Sequence, residues 1–258
     1  MPRNGTDLDR RSPGADRNAL LRALPDAVRA RLEPIATTVP LKQKQVLYDV
    51  EKRIRYVYFP HRGVASLTKP LPGMPVEVAT IGSEGMVGLP AALGADRGTE
   101  RAFVQVEGMA TRVDGAAFHQ LIVSEPALRD LTMRYALALM AQMAQGAACN
   151  RAHPVDERLA RWLLMTHDRV EEDSFFLTQE FIAQMLGVRR PTVSIAAGML
   201  QKAGLIHYVR GKITIRHREA LEDASCECYE AIKREYAMVL ESSPRGRKAI
   251  QAAPARSR

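Results

Sequence analysis

The chain has 258 residues, 46% of them hydrophobic, which is enough for two modest domains with real cores and excludes a disordered polymer. Its formal net charge of +8 fits an anionic partner such as nucleic acid. Three cysteines, Cys149, Cys226 and Cys228, form no dense framework, so a secreted disulfide scaffold is excluded. Cys226 and Cys228 flank a single residue and the third lies far away. No recognisable zinc or iron-sulfur ligand spacing results, and partly buried free thiols in a reducing cytoplasm are expected, with no metal site.

The N-terminal residues 1–17 carry charges but no apolar core of a signal peptide and read as a flexible tail, as do residues 242–258. The most apolar run, ALALMAQMAQGAA, is interrupted by Gln142, Gln145 and Gly146 and falls short of the ~20 apolar residues of a membrane span. Neither a membrane partner nor export is expected.

From Asn18 to Ile35, apolar residues at helical spacing (Leu20, Leu21, Leu24, Val28, Leu32), broken at Pro25 and Asp26, predict two short helices. The periodicity then changes to two. VLYDV, IRYVYF, GVASLTK, VEVATI and RAFVQVEG are strand-like runs separated by proline or glycine, with a hairpin expected at Pro72 and Gly73. Residues 18–123 thus predict a small antiparallel barrel or jelly roll with flanking helices, able to hold a small molecule. Within the strands only His61 is available as a metal ligand, with His119 just after them, and no paired histidine and carboxylate spacing accompanies them.

Residues 124–150 predict one long helix. Leu128, Leu131, Tyr135, Leu139 and Met143 form one apolar stripe, and Met133, Leu137 and Met140 make a second side apolar. One side can pack on the chain's own barrel and the other on the same helix of a second copy, so a homodimer is expected. His153 and Pro154 end the helix near a hinge at Ala152, and residues 151–241 form the last domain. In VDERLARWLLMTHDRV, Leu159, Trp162, Leu163 and Thr166 are expected to face in, and Arg158, Arg161 and Asp168 elsewhere.

The segment LTQEFIAQMLGVRRPTVSIAAGMLQKAGLIHYVRGKIT carries most of the functional signal. Thr178 can cap a helix containing Phe181, Ile182, Met185 and Leu186, which Gly187 ends. Pro191 sits at the first position of a second helix, along which Val193, Ala197 and Leu200 repeat. Leu205 to Val209 and Lys212 to Ile215 then read as two strands joined at Arg210 and Gly211. Helix, tight turn, helix and hairpin make a winged helix-turn-helix, whose second helix enters the DNA major groove. From Gly187 to Arg218 there are seven basic residues (Arg189, Arg190, Lys202, Arg210, Lys212, Arg216, Arg218) and no acidic one, as a phosphate-neutralising surface requires.

Barrel, long helix and winged helix in that order resemble the Crp/Fnr family of bacterial transcription regulators, over roughly residues 24–215. The resemblance rests on IGSEGMVGL, on the long helix leading into DERLARWLL, and on the helix-turn-helix segment. It implies an α+β fold, a homodimer bound to double-stranded DNA, RNA polymerase as a further partner, and an effector barrel that reorients the DNA-binding pair. Arg190 falls at the family's principal base-reading arginine. Pro191 and Ile195 replace a glutamate and an arginine of cyclic-AMP-responsive members. The resemblance leaves Ser194 and Arg189 as substitute base contacts and Gln179, Thr192, Arg210 and Lys212 as backbone contacts.

Cyclic-nucleotide binders of the family place a glutamate after the first loop glycine, whereas here Gly85 is followed by Met86. Their phosphate-binding arginine and hydroxyl residue align with Glu100 and Arg101, or, one register on, with Arg101 and Ala102. The implied pocket therefore lacks the cyclic-nucleotide contacts, and no cofactor is expected. No cysteine precedes Cys149 to hold the family's iron-sulfur cluster, and His61 alone would have to ligate a haem. With no nucleophile and base pairing or phosphate loop, an enzyme is not expected. The competing reading is a small-molecule sensor acting through protein contacts without DNA.

Overall fold

The computed structural model describes residues 17–72 and 75–241; both tails, save Arg17, and Gly73 of the expected hairpin lie outside the described residues. The first elements among the described residues are α1 (Ala19–Ala23) and α2 (Asp26–Leu32), followed by a short 3₁₀ turn. Asn18 is buried and anchors this start: its side chain caps the Leu21 amide (3.1 Å) and donates to the carbonyls of Pro60 (2.9 Å) and Gly85 (2.8 Å).

The strands are β1 (Ala36–Leu41), β2 (Val46–Tyr48), β3 (Tyr56–Lys69), β4 (Val76–Ile81) and β5 (Arg101–Asp114). They pair antiparallel in the order β1-β5-β3-β4, with β2 also on β5. The first strand, ATTVPL, was not among the expected runs, because it shows no clean alternation. Two expected strands, IRYVYF and GVASLTK, are one long strand, because register shifts around Arg62 and Gly63 bend β3 without breaking its pairing with β5. The loop after β4 leads into α3 (Leu89–Ala92), and α4 (Gly115–Ser124) follows β5, capped by Asp114.

The long helix α5 (Pro126–Ala152) lies against β4, and His153 caps its end. Leu128, Leu131, Tyr135 and Leu139 are buried and Met143 half-buried, all within one chain. This stripe is therefore spent on the chain's own core. Met133, Leu137 and Met140, at 56%, 65% and 64% exposure, bury little area within the chain.

Beyond Pro154 run α6 (Val155–His167), β6 (Ser174–Phe176), α7 (Gln179–Leu186), α8 (Arg190–Lys202), β7 (Ile206–Val209), β8 (Lys212–Ile215), α9 (Arg218–Asp223) and α10 (Cys228–Glu241). The wing has three strands, β6-β8-β7; SFF is too short to show a period, and was missed. Arg158 and Arg161, expected away from the core, are both buried: α6 is enclosed on several sides, and a sequence period sees only one. The last helix, α10, packs back on α5, where Tyr236 donates to Gln142 (2.7 Å) and its ring lies 6.3 Å from that of Tyr135.

Candidate nucleic-acid interface

The Thr178 hydroxyl accepts from the Phe181 amide (3.2 Å) and starts α7, and Gly187 ends it at φ 65°, a conformation costly for any residue with a Cβ. Arg189 is the N-cap of α8, so Arg190 is its first residue and Pro191 its second, one place later than the sequence reading set it. Val193, Ala196, Ala197 and Leu200 bury one face of α8 against its domain. The opposite face is open: Arg189, Arg190, Pro191, Ser194, Ile195 and Met199 are exposed and Thr192 half-buried. Ile195 and Met199, at 67% and 54% exposure, spend no apolar area on the fold. Their spacing on the face opposite Val193 and Leu200 was readable from the sequence as an unburied apolar pair.

At the wing tip Arg210 takes φ 50°, and it and Lys212 are exposed. The Tyr208 hydroxyl fastens the wing to the start of α7 by donating to the Leu177 carbonyl (2.6 Å). Gln179, the first residue of α7, is half-buried. One member of the basic run is already committed: Arg218 pairs with Asp168 and with Glu222 (2.9 Å) and donates to the Tyr229 hydroxyl (2.6 Å). It holds α9 to α6 and α10 and offers the surface no free charge.

The expected effector residues do not come together: Glu100 lines a cleft described below, whereas Met86 lies in the core. Met86 is buried, its carbonyl accepting from the Tyr135 hydroxyl (2.8 Å), and a Cβ on Gly85 would come within 2.7 Å of the Tyr135 ring. At Gly82 a Cβ would come within 2.3 Å of the Arg169 side chain. The glycines of this loop thus admit Tyr135 and Arg169. Glu100 accepts from the Tyr48 hydroxyl (2.9 Å), and Arg101 is exposed, 3.3 Å from Asp49. Ala102 and Val104 fill the interior of that strand. His61 is buried with its Nε2 on the Thr111 hydroxyl (2.8 Å), and His119 faces the Ala92 carbonyl, so both have hydrogen-bond partners in the fold.

A cleft of about 430 Å³ opens between β4, α5 and α6, lined by Glu77, Thr80, Gln142, Arg161 and Trp162 among others. Burial pushes the Glu77 carboxyl up to about 7, against the opposing effect of Trp162, which donates to it (2.7 Å), and of the nearby Arg161 and Arg169 charges. Below this cleft, the structure brings Cys149, His153, Cys226 and Cys228 together, although their positions in the sequence gave no ligand spacing. The Cys149 thiol is held below its ordinary value by the Cys226 thiol, whose own is pushed up. Among the described residues no helix is long and apolar enough to cross a membrane.

An open, cationic helix start and a basic hairpin, on an α+β chain with an antiparallel sheet and one long helix, make up a winged helix-turn-helix fold. Residues 157–224 match the model of the Crp-like helix-turn-helix domain. Among solved structures, FixK2 from Bradyrhizobium japonicum aligns at a TM-score of 0.63 and 18% identity, over 74% of this chain and 98% of that one. A putative transcriptional regulator of the Crp/Fnr family from Eubacterium rectale aligns at 0.63 and 16%, over 81% and 98%. The c-di-GMP responsive global regulator CLP from Xanthomonas campestris aligns at 0.57 and 15%, over 74% and 99%. A comparison with curated proteins gives no match. The chain carries a Crp-like helix-turn-helix domain and has the fold of Crp/Fnr regulators.

Proposed function

We propose that the chain is a cytoplasmic, homodimeric transcription regulator that binds specific double-stranded DNA through α8 and its wing, with no catalytic step of its own. The observation that carries this reading is the exposed face of α8, which begins at Arg189 and Arg190, together with the exposed Arg210 and Lys212 at the tip of the wing. Arg190 pairs bidentately with guanine O6 and N7, Ser194 and Arg189 add base contacts, and exposed Ile195 meets a thymine methyl. Gln179, Thr192, Arg210 and Lys212 hold the phosphate backbone. Two copies joined along α5 place two recognition helices on half-sites about one helical turn apart. The filled loop at Gly85 and Met86 supports a regulator that does not take a cyclic nucleotide in the usual position of its fold.

The test is a binding titration against a genomic fragment enriched by the protein and against random DNA, at two salt concentrations. Arg190→Ala should lose ~1 to 3 kcal/mol of discrimination while keeping its affinity for random DNA largely intact. Lys212→Ala should weaken both alike and reduce the salt slope by about 1. Absence of DNA binding by the intact dimer would instead favour a sensor working through protein contacts.

A further inference from the structure

Cys149 sits in the last turn of α5, and His153, four residues on, caps that helix, so both side chains leave on the same side. Cys226 and Cys228 lead into α10, and because α10 folds back along α5, the two pairs meet. Their ligand atoms all lie within 4.8 Å of one another. The Cys149 and Cys226 sulfurs are 3.5 Å apart, and the Cys228 sulfur is 3.6 Å from His153 Nδ1. Tetrahedral zinc, with bonds of about 2.3 Å to sulfur and about 2.0 Å to nitrogen, sets its ligand atoms roughly 3.5 to 3.8 Å apart. We propose that Cys149, His153, Cys226 and Cys228 form a closed Cys₃His site for a thiophilic divalent cation, zinc, at the joint between the long helix and the DNA-binding domain.

The surroundings fit an ion better than three idle thiols. His153 turns its other nitrogen, Nε2, to Glu227 (3.3 Å), the outer carboxylate that fixes the tautomer and orientation of a metal-bound imidazole. Gln145 donates to the Cys228 sulfur (3.0 Å), which satisfies a thiolate. Zinc with three thiolates and a neutral imidazole carries one negative charge. Arg158 and Arg161, on the helix alongside, are buried, each with an Nε that has no hydrogen-bond partner. Their charges act on these cysteines and balance the complex. The three cysteines are otherwise buried, and the four ligand atoms are too close together for a sulfide-bridged iron cluster to fit between them.

The site is independent of whether the chain binds DNA. To test it, the full-length reduced protein, freed of metal by a chelator, is titrated with cobalt(II) and then zinc(II). One equivalent of cobalt per chain should give the intense visible and thiolate charge-transfer bands of tetrahedral coordination, zinc should bleach them, and zinc should raise the melting temperature. Cys226→Ser should abolish the charge-transfer band at one equivalent. Glu227→Gln, an exposed change that leaves all four ligands, should keep the spectrum and weaken affinity by about 10-fold. Octahedral cobalt spectra, a melting temperature indifferent to zinc, or a Cys149–Cys226 disulfide with no metal uptake on reduction would each overturn the proposal. If Cys226→Ser does not fold, the wild-type spectrum and the Glu227→Gln affinity still decide it.

Discussion

Arg169 shows how much one side chain carries. Only 6% exposed, it donates to Glu84 through Nε (2.9 Å) and Nη2 (2.8 Å), to the Thr80 hydroxyl (3.1 Å) and to the Met165 carbonyl (2.7 Å). It thereby joins the end of α6 to the Gly82–Gly85 loop. Removing one partner of a buried pair strands the other charge, so Glu84→Ala should cost about 3 kcal/mol in urea unfolding. Glu77 works with opposite sign. Its carboxyl is raised to about 7 in the folded chain, chiefly by burial, against an ordinary value of 4.5. The folded state therefore binds one more proton than the unfolded state between those values. Stability from this group is fully present below the lower value, falls as pH rises, and levels off above about 7, a loss of roughly 3 kcal/mol. Glu77→Gln keeps an acceptor for Trp162 and should flatten that decline in melting temperature; a slope unchanged by the substitution would assign it to another group.

Among the elements, α5 has three separate faces. Its Tyr135 face closes the sheet domain, its Gln142 and Gln145 face receives α10, and its Met133, Leu137 and Met140 face is bare. Leu137→Asp should leave the fold intact, since 65% of the side chain is already exposed, yet yield a monomer by sedimentation and weaken DNA binding by at least 10-fold. The sequence shows two apolar sides on this helix but cannot say which is internal, because periodicity carries no information about the partner. Local signals fared better. Thr178, Gly187 and the Arg210–Gly211 turn act through neighbouring backbone, so the helix-turn-helix and its hairpin were legible. Strands β1 and β6, the burial of Arg158 and Arg161, the return of α10, and the meeting of Cys149 with Cys226 depend on contacts distant in sequence, and no spacing encodes them.

At the scale of the whole molecule, the two halves meet along joints of different chemistry. The join between the sheet and α6 is polar: Trp162 to Glu77, Gln105 to Thr166 (3.2 Å), and Arg169 to Thr80 and Glu84. Phe181 of α7 adds an aromatic contact with Phe103 at 6.0 Å. By contrast, α10 packs on α5, where Tyr236 meets Gln142 and Tyr135, and it buries Ile232 and Val239 as well. Hydrogen-bonded groups can turn to water when they part, so each polar contact contributes only about 1 kcal/mol net, whereas parting apolar groups costs about 25 cal/mol per Å² exposed. The Glu77→Gln and Glu84→Ala variants should therefore also change the salt and pH dependence of DNA binding, readable in the same titrations that test Arg190.

Where the boundary between the two halves is latched by side-chain hydrogen bonds, water can stand in for either partner, so these polar latches are the part of the join that opens at least cost.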